Sequence, residues 1–501
     1  MQETELKFQV PALRSAAVRR AVGTATAVTT HLQAVYVDTP DLALGRAGLA
    51  LRLRKEGRLW VQTLKGRGDG LMQRLEHEVR LPPQRGVPLL DLSRHAGTPA
   101  AVALAAALPD GAQMLLQPLY RTDIRRLHRR VRFQGAVIEI AHDVGALHAG
   151  GRSAQVDEIE FELVRGPLAA LAALAQRWMA RHGLWWDCRT KSERGTRLAL
   201  QREQVPATLA VPAAWPGDAQ PAAVWSAALQ SALAQALPNA AELADGAGTP
   251  EHLHQLRVAL RRLRSLLRVL SPWGDEAAAL ALEADWQPVF TALGAARDAD
   301  VWRAQWAPRL EAAGAPDWAP DWAGSGAQTE GPLGAAPADI VTSGAFNALL
   351  LRTLVLACLK PPPGAPAVAD LRVAALDLLR PHWRTVRRAA RRFATADVDE
   401  QHRTRKRLKR LRYVLESMRP LFHPKPVRRL LRSVRAALAA LGDLNDLQAA
   451  AALCREQAPG DPRAWFAAGW LAAQVGPAQA DAVDALARLR DTPGLKALRA
   501  P

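Results

Sequence analysis

Residues 3–8 read Glu3-Thr4-Glu5-Leu6-Lys7-Phe8. With a period of two, Glu3, Glu5 and Lys7 share one face and Thr4, Leu6 and Phe8 the other, because alternate side chains of a strand point the same way. Alone, this is an edge strand with a solvated polar face. The same device recurs along the chain, however. Arg52 and Arg54 stand against Leu51 and Leu53. Arg74, Glu76 and Glu78 stand against Leu75 and Val79, and Glu139 and Asp143 against Ile138 and Ile140. Glu158, Glu160 and Glu162 stand against Ile159, Phe161 and Leu163.

A sheet wet on one side carries such alternation, but a solvated face mixes Thr, Ser, Lys and Gln. This one is almost purely Glu, Asp, Arg and Lys. Stacked carboxylates repel one another unless cations lie between them. The pattern predicts a closed antiparallel β-barrel with a charged lumen. Its acids are Glu3, Glu5, Glu76, Glu78, Glu139, Asp143, Glu158, Glu160 and Glu162. Its bases are Lys7, Arg52, Arg54, Lys65, Arg74 and Arg125. Carboxylate oxygens hold hard divalent cations, and the bases hold phosphate oxygens. A tunnel with both reads as a site for a metal-bound polyphosphate.

The first two hundred residues resemble the CYTH domains, the triphosphate tunnel metalloenzymes. Glu3-Thr4-Glu5-Leu6-Lys7 is similar to their Glu-x-Glu-x-Lys motif. Tyr36–Pro40, Leu49–Arg54, Thr63–Gly66, Arg74–Glu78, Arg121–Arg126, Asp143–Gly145, Asp157–Leu163 and Lys191–Gly195 follow in the family's order. The resemblance implies hydrolysis of inorganic triphosphate to pyrophosphate and phosphate, with Mg2+ or Mn2+. It assigns Lys7, Arg52, Arg54, Lys65, Arg74, Arg125 and Lys191 to the phosphates. Glu3, Glu5, Glu76, Glu139, Glu158, Glu160 and Glu162 go to the metal, and Glu78 and Asp143 to positioning water. Adenylate cyclase and thiamine triphosphatase use the same tunnel and remain competing readings. A non-catalytic polyphosphate-binding protein is a third.

The chain has 501 residues, room for two or three domains, and 66 Lys plus Arg against 48 Asp plus Glu, a net charge of +18. That balance calls for a polyanionic partner. Cys188, Cys358 and Cys454 are too scattered for a disulfide framework or zinc site, which fits a reducing cytoplasm. No signal peptide is expected from an acidic N-terminus that begins a strand. The most apolar run, 348–359, holds Arg352 and is too short to span a bilayer. No Walker motif, Rossmann fingerprint or nucleophile elbow appears. Basic charge without interleaved aromatics disfavours nucleic acid as the partner.

Strands are expected through 165, with helical pieces near 11–22 and 99–108 and a helix over 167–182. Prolines at 206, 212, 216 and 221 mark a linker over 201–222. Beyond it the periodicity is helical. The predicted organisation is therefore α+β: a barrel domain over 1–200 with flanking helices, and an all-α domain over 223–501. The second half repeats itself. His254-x-x-Arg257-x-x-x-Arg261-Arg262-Leu263-Arg264 matches His402-x-x-Arg405-x-x-x-Lys409-Arg410-Leu411-Arg412. Leu293-Gly294 matches Leu441-Gly442 at the same offset of 148 residues (254 to 402, 294 to 442). Two duplicated helical bundles about a pseudo-twofold axis are expected. His254, Arg257, Arg261, Arg264 and Arg268 make one helical stripe, and His402, Arg405, Lys409 and Arg412 another. These stretches resemble the CHAD family. The resemblance implies inorganic polyphosphate as ligand, and with it association with polyphosphate granules.

Overall fold

The computed structural model describes residues 2–68, 70–84, 86–108, 115–321, 336–358 and 367–498, with the backbone alone at residues 2, 67, 74 and 295–301. The described residues form two compact units, 1–207 with 237–248 and 341–351, and 208–236 with 249–340 and 352–501.

The first unit is built on an antiparallel sheet. Its strands are β1 (Gln2–Gln9), β2 (Val28–Asp38), β3 (Leu49–Glu56), β4 (Leu59–Arg67), β5 (Gln73–Leu81), β6 (Gln117–Phe133), β7 (Ala136–Ala149), β8 (Arg152–Arg165) and β9 (Trp185–Trp186). They lie in the order β5-β4-β3-β2-β6-β7-β8-β1-β9. β1 has a second partner: Glu5–Gln9 pair with β8, while Gln2–Thr4 pair with β5. The register aligns like charge with like charge and with opposite charge. Asp143 lies opposite Glu158 and Glu139 opposite Glu162. Glu5 faces Glu162, Lys7 faces Glu160, and Lys65 faces Glu76.

On β1, β7 and β8 the other face is dry. Leu6, Phe8, Ile138, Ile140, Ile159 and Phe161 are buried, each burial stabilising the fold by about 1.5–3 kcal/mol. Phe8 meets Phe161 edge-on at 5.9 Å. Of the flanking helices α1 (Ser15–Val22), α2 (Pro99–Ala107), α3 (Leu168–His182) and α4 (Lys191–Ala199), α3 covers this face and sets Trp178 against Phe161 at 5.8 Å. α2, capped by Thr98, brings Leu104 onto Leu49, Leu51 and Leu64. α4 starts from a Thr190–Glu193 capping box. Its Gly195 rests on the Tyr120 ring, where an added Cβ would come within 2.2 Å.

No helix or strand forms over 201–220. The second unit is helical. The longer helices from there on are α5 (Pro221–Ala244), α6 (Pro250–Val269), α7 (Glu276–Val301), α8 (Gly344–Cys358), α9 (Leu371–Arg392), α10 (Val398–Ser417), α11 (Pro424–Gln457) and α12 (Ala464–Asp491). α6 and α10 start and end 148 residues apart (250 to 398, 269 to 417), and α7 and α11 start at the same interval (276 to 424). Of the long connection over 312–344, residues 322–335 lie outside the described residues. No helix among the described residues is long and apolar enough to cross a membrane.

Candidate active site

Three carboxylates converge on the charged face of the sheet. Asp143 of β7 and Glu158 and Glu160 of β8 bring oxygens within 4.8 Å of one another. Asp143 and Glu158 are fully buried. Left alone, such a cluster would take up protons. Cations prevent this. Lys191, the first residue of α4, places Nζ 2.7 Å from Asp143 and 2.9 Å from Glu160, and also pairs with Glu158. Arg126 donates from Nε and Nη2 to the two Asp143 oxygens at 2.7 Å each, and from Nη2 to Glu160 at 2.6 Å. Lys7 and Arg194 approach Glu158 at 3.6 and 3.4 Å. Burial pushes Asp143 and Glu160 upward, but Arg126 and Lys191 hold both below the usual carboxylate range. Burial likewise opposes the Lys191 charge, and Asp143, Glu158 and Glu160 outweigh it. All-oxygen donors at this spacing fit a hard divalent cation.

A second charged group lies on β3, β4 and β5. Arg54 reaches Glu78 at 2.9 Å, and Arg52 lies 3.7 Å from Glu76 and 3.8 Å from Glu78. Lys65 pairs with Glu76. Arg52 Nη1 donates to the Tyr36 hydroxyl at 2.9 Å, and the Tyr36 ring stacks on Tyr120 at 4.5 Å. Glu3 is pushed up to about 8 by burial, by its hydrogen bond to Glu76 and by the Glu76 charge. Glu76 moves the other way, because Lys65, Glu3 and Arg52 overcome its burial. The two acids thus share one proton, held on Glu3. Glu162 is raised by burial and by Glu139 and Glu5. Glu139 also meets His128 at 3.3 Å and Arg130 at 3.2 Å.

One sequence expectation needs correction. Arg125 is exposed on the opposite face, and Arg126 stands among the acids instead. Two adjacent arginines on one strand must point opposite ways, and composition does not say which points inward. The cue was the pairing of Arg126 with Asp143. Glu78 and Asp143, each a candidate for positioning water, belong to different groups: Glu78 accepts from Arg54 and Thr63, Asp143 from Arg126. The side chain of Arg74 lies outside the described residues. Arg194 and Tyr36 were not singled out by the sequence, although both fall within the quoted motifs.

Residues 1–185 match the CYTH domain and residues 227–455 match the CHAD domain. The chain carries a CYTH domain followed by a CHAD domain. The inorganic triphosphatase of Haemophilus influenzae is 30% identical over 172 residues, 33% of this chain and 46% of that protein. The chain therefore spans less than half the length of that relative. A crystal structure of the CHAD domain from Ricinus communis is 28% identical, with a TM-score of 0.44, covering 59% of this chain and 98% of that one. A Hippeastrum protein named as an adenylyl cyclase, and said to have a dominant triphosphatase activity, is 16% identical, with a TM-score of 0.28, covering 38% of this chain and 94% of that one.

In the CHAD domain the repeated motifs meet in space. Arg257, Arg261 and Arg264 of α6 gather over the Phe290 ring at 5.1, 5.4 and 5.4 Å. A Cβ at Gly294 would come within 2.9 Å of Arg257, and one at Gly442 would touch Arg405 at 3.8 Å. So Gly294 makes room for Arg257, the first arginine of its stripe, whereas at Gly442 the approach is an ordinary contact. His402 is hydrogen-bonded to Asn445, and Arg405 lies 3.5 Å from Asp446. His402 is lowered by burial and by Lys406 and Arg405, against the Asn445 bond. The far end of the first stripe is neutralised: Glu283 takes Arg264 at 2.7 Å and Arg268 at 2.5 Å. Arg412 lies 3.7 Å from Glu416. His254 is half-buried on α6, while His252 closes the Thr249 capping box.

Proposed function

We propose that the CYTH domain hydrolyses inorganic triphosphate to pyrophosphate and phosphate, and that the CHAD domain binds inorganic polyphosphate. The observation that carries the first reading is the pairing of the Asp143, Glu158 and Glu160 cluster with Lys7, Arg126 and Lys191 on the face that also bears Arg52, Arg54 and Lys65. The second partner of β1 supports closure of the sheet into a tunnel around that face. The named activity of the Haemophilus relative favours triphosphate.

Asp143, Glu158 and Glu160 would hold Mg2+ or Mn2+, with Glu5 and Glu162 along the same face. The cation would neutralise phosphate charge and polarise the bond to be cut. Arg52, Arg54, Lys65 and Arg126 would hold phosphate oxygens through charge-assisted hydrogen bonds. Lys7 would guide the chain toward the acids, and Lys191 would pass from the carboxylates to the phosphates. Glu3, holding its proton beside Glu76, would donate to a phosphate oxygen. No covalent nucleophile is needed, since positioning and charge neutralisation lower the barrier.

Phosphate release from triphosphate, ATP and thiamine triphosphate, with and without Mg2+, tests the assignment. Triphosphate turnover abolished by chelator is expected. Cyclic AMP from ATP would replace this reading with a cyclase. No turnover of any substrate would leave a polyphosphate-binding protein, expected at cytoplasmic polyphosphate granules.

A further inference from the structure

Arg261 of α6 and Lys409 of α10 occupy equivalent positions, 148 residues apart (261 to 409). The two helices pack on each other, and the Arg261 charge acts on the Lys409 amine. Equivalent residues carried on a pair of packed, equivalent helices are what a two-fold arrangement produces near its axis. Were both arginine, two permanent charges would confront each other, because a guanidinium does not shed its proton. A lysine can.

The charges around the Lys409 amine come from several elements. Arg261 faces it from α6, and Arg405 and Arg412 from its own helix. From α11 comes Asp446, already 3.5 Å from Arg405, while Asp443 bears on Arg405. α9 meets α10 at Arg410, beside His382. The surface holds more donors than acceptors: Nε of Arg405 and Nε of Arg412 are buried without a hydrogen-bond partner.

Resting on the polyphosphate reading of the CHAD domain, we infer that Lys409 stands as a free amine while this surface is empty and becomes an ammonium when a polyphosphate chain binds. The proton comes from the solvent and stays on Nζ, where chain oxygens accept its hydrogen bonds. Each binding event then takes up a proton. Burial and the neighbouring arginines hold the amine down to about 6 in the ligand-free protein. The second repeat's departure from arginine is thus a functional feature: it lets the empty surface discharge one cation.

The test is calorimetric titration of the full chain with long-chain inorganic polyphosphate, with chelator present, in two buffers of different ionisation enthalpy. At about pH 8, above the histidine range, the difference should report uptake approaching about one proton per binding event. The uptake should disappear in Lys409→Arg, whose guanidinium is charged before the chain arrives. Binding without proton uptake in the wild type overturns the inference and leaves the polyphosphate reading standing. No binding overturns both. A ligand-free measurement decides the state of the amine separately. An amine held near 6 when folded, against about 10.4 unfolded, makes stability rise with pH across that window. The melting temperature of the wild type relative to Lys409→Met should therefore climb from pH 6 upward. A flat difference also overturns the inference.

Discussion

Glu3 and Glu76 differ in the proton they share, and the sign of its effect on stability can be worked out. Glu3 is raised from about 4.5 to about 8, so the folded state binds more protons than the unfolded state between those values. Its contribution is complete below the lower value and is lost as pH rises through 8. Glu3→Gln imitates the protonated acid at every pH. In chelator, its melting temperature relative to the wild type should climb from pH 5 to about pH 8 and then level off; a constant difference would mean that Glu3 is not protonated at neutral pH. Arg126 carries a second prediction at this scale. It makes two hydrogen bonds to a fully buried carboxylate. Charge-assisted bonds are each worth about 1.5–3 kcal/mol, so losing both in Arg126→Ala should lower kcat/KM for triphosphate by about two to four decades. Arg125→Ala should leave it within about twofold. Equal losses in both would place Arg125 back among the substrate contacts. Alternation made Lys7, Arg52, Arg54, Lys65, Glu76, Glu78, Asp143, Glu158 and Glu160 legible as one face. It failed where adjacent identical residues left the phase of β6 open.

At the scale of elements, α4 is the piece that completes the acid cluster, and its seating depends on a glycine. The capping box over Thr190 and Glu193 fixes where the helix begins, and so where Lys191 projects. Gly195, one turn on, lies flat against Tyr120, with no room for a Cβ. Gly195→Val must therefore lift the helix from the ring and draw Lys191 away from Asp143, Glu158 and Glu160. Expected outcomes are faster proteolysis within 191–199 and loss of triphosphate turnover, with the sheet intact by circular dichroism. Unchanged turnover would show that Lys191 acts without a fixed helix. The sequence made Lys191 legible because the stretch 191–195 resembles a known motif. The Tyr120 contact joins residues 75 positions apart (120 to 195) and leaves no periodic trace. In the helical half the repeat showed which segments correspond, and the boundaries of α6 and α10 agree with it residue for residue. Neutralisation of Arg264 and Arg268 by one buried glutamate was not legible, because Glu283 sits on a different helix outside both motifs.

For the whole molecule, net charge and its placement decide the partner. An excess of +18 attracts any polyanion, so charge alone does not separate polyphosphate from DNA. Placement does. Arg257 and Arg261 lie over the Phe290 ring, and the Arg261 charge is felt by Arg405 and Lys409 across the packed helices α6 and α10. A thin flexible chain can lie along two such converging rows, whereas a duplex with its phosphates fixed on a wide cylinder reaches only their rims. One long chain engaging both rows gains affinity through effective concentration, without new contacts. The full chain in chelator should therefore bind long polyphosphate much more tightly than triphosphate, and more tightly than duplex DNA. Affinity should fall steeply with salt as counterions are released. Replacing Arg257, Arg261 and Arg405 together by alanine should remove most of the chain-length preference and flatten the salt dependence. The measurement is a competition titration of labelled long polyphosphate against triphosphate and duplex DNA at several salt concentrations. Equal displacement by DNA would reduce the two rows to a generic basic surface.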